Sequence, residues 1–399
     1  MQRTPKSLRL HIAIFGRRNV GKSSILNAIT QQEVSIVSEI AGTTTDPVEK
    51  PMELLPIGPV LFIDTAGLDD LGRLGNLRIK KTRKVFERAD IALLVTEANK
   101  WGAYEEKIVE EFKKRNTPLL VLLNKIDLFK SDEKIKKTLG ERAISYIETC
   151  ALNRSWETTT KIKNELIKLL PKDFLNPTPL ISDIIDEGDL VVLVIPTDKE
   201  APKGRLILPQ QQTIREILDK RAICLIANEK NLLKSINNSK QKPKIVITDS
   251  QVFEEVFNRV PEDILVTSFS ILFARSKGDL KELVKGAKKI DSLKPGDKIL
   301  IAEACTHHPI GDDIGRIKIP RWINQKVGGR INFDVYSGHD FPSDLKQYKL
   351  IIHCGSCMLN RKETLSRIYE ARIQGTPITN YGIAIAHLHG RLQRALKPF

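Results

Sequence analysis

The sequence predicts an α/β protein in which mostly parallel sheets are covered by helices, and three observations support this prediction. Short apolar runs of strand length recur throughout the 399 residues. Segments with helical spacing of apolar residues separate most of these runs, an alternation typical of parallel α/β sheets. The composition, with 41% hydrophobic and 28% charged residues, is that of a globular protein. No apolar run approaches the roughly 18 residues of a membrane helix, so we expect no membrane association.

The apolar runs fall into three groups, which predict three domains. In residues 1–172, strands are expected in LRLHIAIFG, PVLFIDTAG, DIALLVTEA, PLLVLLNKI and AISYIETCA. Pro171, Pro177 and Pro179 then predict a linker. A smaller α/β domain is predicted over 173–270, with strands in DLVVLVIP, AICLIAN and KIVITD, and another over 271–399, with strands in DKILIAEAC, YKLIIHCG and PITNYG. Helices are expected near 210–220, 230–237, 278–286 and 360–374.

Charge and cysteine content restrict the class of protein further. Lys and Arg total 64 against 49 Asp and Glu, a net charge of +15 that would suit an acidic partner. Most basic residues are interleaved with acidic ones, and aromatic residues, which stack on bases, make up only 6%. The exception is the C-terminal segment, which carries seven basic residues: Arg361, Lys362, Arg367, Arg372, Arg391, Arg394 and Lys397. Five cysteines are too few for a disulfide framework, so we expect a reducing, cytoplasmic location.

Residues 16–23 spell G-x-x-x-x-G-K-S between a predicted strand and a predicted helix, the context of a P-loop. The glycines allow backbone amides to surround phosphate groups at a helix N-terminus. Lys22 would neutralise the β- and γ-phosphate oxygens, and the Ser23 hydroxyl would bind Mg²⁺. The predicted nucleotide-binding residues of this segment are Gly16, Asn19, Val20, Gly21, Lys22, Ser23 and Ser24.

The segment DTAG follows the strand-like run VLFI and completes the predicted phosphate site. Asp64 would face the magnesium ion, and the amide of Gly67 would face the γ-phosphate.

Two further motifs predict the base that is bound. Asn124, Lys125 and Asp127 belong to NKID at the end of a predicted strand. Asp127 would accept two hydrogen bonds from guanine that adenine cannot offer, so the predicted ligand is GTP and not ATP. The segment with Cys150 and Ala151 is similar to the short base-contacting loop of GTPases, and this resemblance implies that the Ala151 amide lies at the guanine oxygen. The fold class is therefore predicted as a P-loop GTPase domain followed by two smaller α/β domains.

The segment GTTTD (42–46) resembles the first switch of TrmE/Era-type GTPases, which implies that Thr44, or alternatively Thr45, binds magnesium. Asn19 occupies the position that binds K⁺ in the potassium-activated members, and Leu68 stands where Ras-like enzymes carry a water-orienting glutamine. Without that glutamine and without an evident arginine finger, K⁺ would supply the missing positive charge. We therefore expect slow, potassium-stimulated hydrolysis in a switch-like domain. The predicted catalytic residues are Lys22, Thr44, Asp64 and Gly67.

A cysteine–histidine set follows two predicted strands of the last domain. Cys305 and His307 close one strand, and His353, Cys354 and Cys357 close another. Loops at the carboxyl ends of neighbouring parallel strands meet in one crevice, so we expect the two groups to converge. Three thiolates near a histidine suit zinc and an iron–sulfur cluster equally well. A Cys-x-x-Cys pair beside a strand also occurs in dithiol redox enzymes.

The order of a TrmE/Era-like GTPase domain, a middle α/β domain and a C-terminal Cys-x-His…His-Cys-x-x-Cys set resembles the HydF family of FeFe-hydrogenase maturation GTPases over essentially the whole chain. The resemblance implies a homodimer formed through the middle domain. It also implies a 4Fe–4S cluster held by Cys305, Cys354 and Cys357, with His307, His353 or an exchangeable ligand at the fourth iron. Of the two histidines we favour His307. The implied role is a scaffold that receives a diiron precursor, made with the radical-SAM maturases HydE and HydG, and delivers it to apo-hydrogenase HydA.

Two other hypotheses compete with this one. A ribosome- or tRNA-associated regulatory GTPase with a zinc-stabilised C-terminal RNA-binding module would suit the net charge of +15. The sequence shows no KH, OB or other RNA-binding signature, so we expect no nucleic acid partner. A dithiol redox enzyme using Cys354 and Cys357 fits poorly with a third cysteine and two histidines nearby.

Overall fold

The computed structural model describes residues 4–30, 47–65, 75–151, 156–197, 206–304 and 313–399, with backbone only for 75–81. The chain divides into two compact units, Met1–Pro177 and Thr178–Phe399. The division falls within the predicted proline-rich linker. Across the described residues, no helix combines the length and apolar character needed to cross a membrane.

The described part of the first unit contains one sheet with helices on its faces. Its strands are β1 (Leu10–Phe15), β2 (Val48–Leu54), β3 (Gly58–Asp64), β4 (Ile91–Glu97), β5 (Leu119–Asn124) and β6 (Ser145–Thr149). Its helices are α1 (Lys22–Thr30), α2 (Gly75–Arg88), α3 (Ala103–Lys114), α4 (Glu133–Glu141), α5 (Trp156–Lys168) and the short α6 (Lys172–Leu175). The strand order is β2-β3-β1-β4-β5-β6, and all neighbours are parallel except β2 and β3.

The central strands are largely apolar because helices cover both faces of the sheet. Alternate residues of β1 enter opposite cores: Ile12 and Ile14 pack on one side, and Ala13 and Phe15 pack on the other. On the second side Phe15 stacks on Phe86, with ring centroids 4.8 Å apart. The predicted strands of this unit correspond to β1, β3, β4, β5 and β6, and their carboxyl ends share one edge of the sheet.

Strand β2 is absent from the predicted strands because its sequence, VEKPMEL, has no apolar run. It lies at the sheet edge, where Pro51 can replace a residue with a backbone N–H. Glu49 accepts hydrogen bonds from Lys6 and Arg88. Although burial raises its pKa, the charges of Arg88 and Lys6 lower the pKa of Glu49 to about 2. Charge pairs therefore add to the pairing with β3 and to the packing of Met52 and Leu54 against the core.

The described part of the second unit contains two sheets. Its strands are β7 (Leu190–Val194), β8 (Ile223–Ala227), β9 (Ile245–Thr248), β10 (Leu265–Ser268), β11 (Lys298–Ala302), β12 (Asn332–Tyr336), β13 (Leu350–His353) and β14 (Ile378–Asn380). Its helices are α7 (Leu208–Asp219), α8 (Leu232–Asn238), α9 (Phe253–Arg259), α10 (Phe269–Lys277), α11 (Leu280–Ala287), α12 (Ile319–Val327), α13 (Arg361–Ile373), α14 (Tyr381–Leu388) and α15 (Leu392–Leu396). The two parallel sheets have the orders β10-β9-β7-β8 and β12-β11-β13-β14.

The two sheets of the second unit share a hydrophobic core. One continuous cluster of buried side chains includes Val192 and Val246 from the first sheet and Ile299 and Ile351 from the second. The predicted strands correspond to β7, β8, β9, β11, β13 and β14. Strands β10 (LVTS) and β12 (NFDVY) are absent from the predicted set because polar residues interrupt or end them, so neither forms an apolar run. The boundary at residue 270 between two domains stays a prediction.

Candidate functional site

The P-loop (residues 16–23) connects β1 to α1, as the sequence predicts, and its backbone depends on glycine. Gly16 and Gly21 have φ angles of 149° and 98°, which disfavour residues with a side chain. A Cβ atom on Gly16 would lie 2.2 Å from the carbonyl oxygen of Val95, and one on Gly21 would lie 2.3 Å from Asn124 Nδ2. Asn19 also adopts a left-handed conformation, with φ 62°. The loop is thus closely packed against the ends of β4 and β5.

Lys22 is buried and its ammonium group lies within the loop. Nζ donates to the carbonyl oxygens of Gly16 at 2.5 Å and Arg17 at 2.7 Å. Arg17 in turn forms two 2.8 Å hydrogen bonds to Glu105 of α3, a residue that is fully buried. Such a bidentate pair with a buried carboxylate fixes the loop to α3.

Asn124 joins the P-loop to the segment that follows β6. Its Nδ2 donates to the carbonyl oxygen of Val20 at 2.7 Å, and its Oδ1 accepts from the Ala151 amide at 3.0 Å. The Ala151 amide therefore has a protein partner in this structure, and its contact with guanine stays a prediction. Cys150, which precedes it, is partly buried.

The rest of the predicted base site lies beside Asn124. Lys125 has a φ of 64°, and its Nζ donates to Glu97 Oε1 at 2.6 Å. Asp127 is exposed, so a ligand can reach it.

The predicted magnesium ligands are only partly described. Asp64 ends β3 and is 1% exposed, paired in register with Ile14 of β1. Ser23 is exposed and Ser24 half-buried in the first turn of α1, where the positive end of the helix favours phosphate. Thr44, its alternative Thr45, and Gly67 lie outside the described residues, as does Leu68.

The cysteine-bearing loops leave adjacent strands. Ala302 of β11 is paired with His353 of β13, and the Cys354 amide donates to the Ala302 carbonyl at 2.8 Å. The amide of Ala304, the residue before Cys305, donates to Cys354 Sγ at 3.0 Å. Cys305 and His307 themselves lie outside the described residues. The last described residue of the first loop, Ala304, therefore contacts the sulfur atom of Cys354 in the second loop.

The Cys-x-x-Cys loop (residues 354–357) packs on the core of the first sheet of this unit. Cys357 contacts the cluster that contains Phe269, Leu272 and Phe273. Burial raises the pKa of the Cys357 thiol, and the nearby Lys277 charge lowers it. Lys277 is absent from the predicted site residues; the available sequence signal was a lysine at the end of the apolar segment FSILFARSK.

His353 lies in a buried polar network behind the loop. Arg367, which can only donate, places its Nη1 2.9 Å from His353 Nε2, and Nδ1 lies 3.0 Å from the Cys354 carbonyl oxygen. Burial and then the Arg367 charge lower the pKa of His353 to about 3, so the ring is neutral. A neutral imidazole has one nitrogen lone pair, and Arg367 occupies it. This geometry argues against the prediction of His353 as a cluster ligand.

Within the described residues, no group of three or more His, Cys, Asp and Glu side chains is arranged to hold a metal ion. Two of the five predicted iron–sulfur ligands, Cys305 and His307, are not among those residues.

Basic side chains of the C-terminal segment bind mainly to the protein itself. Arg394 donates to the carbonyl oxygens of Phe257, Val260 and Pro261, and Arg391 donates to Asn258. Arg361 donates to the Ser276 carbonyl, and Arg367 forms an ion pair with the buried Glu363. These four arginines are engaged within the fold and do not form a free basic surface.

Comparison with family models identifies the parts of the chain. Residues 11–125 match the model described as 50S ribosome-binding GTPase, so the first unit contains a GTPase domain. Residues 180–278 match the hydrogen maturase F dimerization domain, and residues 281–398 match the hydrogen maturase F tetramerization domain. The chain belongs to the hydrogen maturase F family. The predicted resemblance to the HydF family is therefore confirmed, and so is the predicted fold class.

Curated relatives of this hydrogen maturase F chain match it only in part. GTPase Der of Nitratiruptor sp. is 33% identical over 218 residues, which are 52% of this chain and 46% of that protein. The tRNA modification GTPase MnmE of Synechocystis sp. is 38% identical over 125 residues, 31% of this chain and 27% of that protein. The chain thus spans less than half the length of these relatives.

A solved structure of an Era variant from Aquifex aeolicus with bound GDP and AlF₄⁻ is also similar. It is 23% identical, with a TM-score of 0.35, and the match covers 54% of this chain and 91% of that one.

Proposed function

We propose that this protein is a GTP-hydrolysing scaffold that binds a 4Fe–4S cluster and assembles or delivers the diiron precursor to apo FeFe-hydrogenase. One observation carries the proposal: a P-loop GTPase domain and a Cys-x-x-Cys loop occur in one chain, and the loop lies within a hydrogen maturase F domain. The partners would be HydA, which receives the precursor, and the maturases HydE and HydG, which supply it. The location would be the cytoplasm.

The proposed nucleotide chemistry uses residues at the carboxyl ends of β1, β3, β5 and β6. Asp127 would select guanine, and Asn124 would hold the two loops that flank the base. Lys22 would exchange its two carbonyl partners for phosphate oxygens, a stronger pairing because both groups are charged. Ser23, Thr44 and Asp64 would hold Mg²⁺, and the Gly67 amide would face the γ-phosphate.

A potassium ion is proposed beside Asn19. Asn19 is an exposed residue with a left-handed backbone in the middle of the P-loop, the segment that would surround the phosphates. A monovalent cation at this point would supply the charge that an arginine finger gives other GTPases.

The proposed cluster ligands are Cys305, Cys354 and Cys357. Their chemistry fits, because thiolates are the preferred ligands of iron–sulfur clusters. The amide hydrogen bond from Ala304 to Cys354 Sγ is of the kind that stabilises a bound thiolate. When bound through three thiolates, such a cluster supplies one iron with an exchangeable ligand. His307 is the proposed neighbour of that iron, since the lone pair of His353 is occupied by Arg367.

The proposed homodimer forms through β8, an edge strand of the dimerization domain. Ile223 and Ile226 on this strand are 50% and 51% exposed, and Leu218 on α7 is 52% exposed. An apolar edge strand is prone to pair with a second chain. A second copy of this chain is the occupant that the dimerization-domain match supports.

Anaerobic purification and iron analysis test the cluster proposal. The unaltered protein should be brown and contain iron and acid-labile sulfide, whereas Cys354→Ala and Cys357→Ala should contain neither. Cys224→Ala is the matched control, because Cys224 lies on β8, outside the Cys-x-x-Cys loop, and it should keep the cluster. A colourless protein that contains zinc would contradict the proposal and favour the RNA-binding hypothesis.

A further inference from the structure

Helix α10 connects the two hydrogen maturase F domains at the candidate cluster site. The helix lies in the stretch that matches the dimerization domain, and the Cys-x-x-Cys loop lies in the stretch that matches the tetramerization domain. At its start, Ser270 Oγ accepts from the Gly382 amide and from Asn380 Nδ2, both at 3.1 Å. A Cβ atom on Gly382 would lie 2.7 Å from Ser270 Cβ, so the two domains approach closely here.

At the other end of α10, the Lys277 ammonium group holds the backbone of the cysteine loop. Lys277 is 7% exposed. Its Nζ donates to the carbonyl oxygens of Ser356 and Cys357, both at 3.2 Å, and Leu359 at 2.8 Å. An ammonium group has three N–H donors, so three carbonyls use all of them. The loop therefore closes around one cation that belongs to the neighbouring domain.

The Lys277 ammonium group is buried beside the backbone of the Cys-x-x-Cys loop. Burying a cation is unfavourable unless an opposite charge or strong hydrogen bonds compensate it. The carbonyl oxygens supply part of this compensation, and thiolates carrying an anionic cluster would supply more.

We infer that Lys277 is a positioning residue of the cluster site, and that the dimerization domain therefore forms part of that site. The inference rests on the proposed function, because it takes Cys354 and Cys357 as cluster ligands. Lys277 would act in two ways. Its hydrogen bonds would hold the loop in the shape that presents both thiolates, and its charge would stabilise the reduced, more negative state of the cluster.

Three substitutions separate these two actions. Lys277→Met removes the charge and all three hydrogen bonds. Lys277→Gln removes the charge but keeps two N–H donors for the loop carbonyls. Lys285→Met is the matched control, because the Lys285 side chain on α11 is 79% exposed.

Each full-length protein is purified anaerobically with its cluster, and two quantities are measured: the rate at which a chelator removes iron, and the reduction potential of the cluster. Amide hydrogen exchange of residues 354–359 in the iron-free protein gives a third readout that needs no cluster.

Lys277→Met should lose iron about tenfold or more faster than the unaltered protein, as is typical when a supporting partner of a metal ligand is removed. It should also speed up hydrogen exchange in the loop. Lys277→Gln should retain iron better than Lys277→Met. Any cluster that remains in either variant should have a more negative reduction potential, which a merely structural role would not cause. Lys285→Met should match the unaltered protein in all three measurements.

The outcomes distinguish this inference from the proposed function. If the unaltered protein binds a cluster and Cys357→Ala does not, but Lys277→Met keeps both the iron and the potential, the inference is overturned and the proposed function stands. If Lys277→Met loses iron while Lys277→Gln keeps the unaltered potential, the role of the charge is overturned. If the unaltered protein binds no cluster, the proposed function is overturned, and the inference is overturned with it.

Discussion

The nucleotide site and the candidate cluster site both lie at the carboxyl ends of parallel strands, but different kinds of contact hold them in place. In the nucleotide site several motif residues support one another: Asn124 bonds to Val20 and Ala151, and Lys22 bonds to its own loop. Glu105 of α3 and Glu97 of β4 add support from outside through Arg17 and Lys125. In the cluster site the motif residues are supported from outside the motif, by Lys277 of α10 and Arg367 of α13. A sequence motif therefore indicates which residues contact a ligand. It indicates the residues that support them only where the motif residues also contact one another.

The largest effect is expected for Asp127→Asn, which tests whether the nucleotide site selects its base through one carboxylate. The change replaces one acceptor with a donor, so xanthine should replace guanine as the preferred base. A site left with unpaired polar groups rejects the wrong ligand by about 10⁴-fold, and the ratio of the GTP and XTP rates should change by that order. Steady-state turnover of both nucleotides measures it. An unchanged preference for GTP would mean that base selection does not rest on Asp127.

The next largest effect is expected for Lys22→Ala, which tests whether the buried lysine binds the nucleotide as well as stabilising the P-loop. Removing one preorganised charged donor should slow GTP turnover by about 10²- to 10³-fold. Circular dichroism should show an intact fold, because the two carbonyl groups that Lys22 occupies can bind water instead. If the fold is lost along with turnover, Lys22 is a structural residue and the contrast between the two sites becomes weaker.

A matched pair of glycine substitutions compares the two scaffolds. Gly286 near the end of α11 would place a Cβ atom 1.9 Å from the Ile378 carbonyl oxygen, whereas Gly140 near the end of α4 has nothing within 4 Å. Gly286→Ala should therefore lower the unfolding free energy of the second unit by about 1–3 kcal/mol. Gly140→Ala should raise that of the first unit by about 0.5–1 kcal/mol. Hydrogen exchange followed by peptide analysis reports on each unit separately, and equal effects would contradict the difference in packing.

The smallest effect is expected from the cation. Replacing K⁺ by Na⁺ at constant ionic strength should slow GTP hydrolysis about tenfold, a small part of the ~10³–10⁵ that an arginine finger contributes. Rb⁺, which is close to K⁺ in size, should restore the rate, and Asn19→Ala should remove the difference between the ions. Identical rates in Na⁺ and K⁺ would remove the potassium site from the proposal.

The sequence by itself determined the P-loop, the parallel arrangement of the central strands and the family. These features depend on short segments in which residue type and backbone geometry are linked, such as glycine at positive φ and apolar runs in strands covered on both faces. The position of Cys354 beside the end of β11 also follows from sequence, because neighbouring parallel strands end together.

Only the tertiary structure decided which residues support the sites. Strand β2 was hidden because no apolar run marks it, although it pairs with β3 along its length and its Glu49 forms ion pairs. His353 resembles a metal ligand in the sequence, yet Arg367, fourteen positions further on, occupies its lone pair. Lys277 precedes Cys357 by eighty residues and lies on helix α10, but three carbonyl oxygens of the cysteine loop bond to it. Such contacts join distant segments through the geometry of the packed core, and no local pattern of residues carries that information.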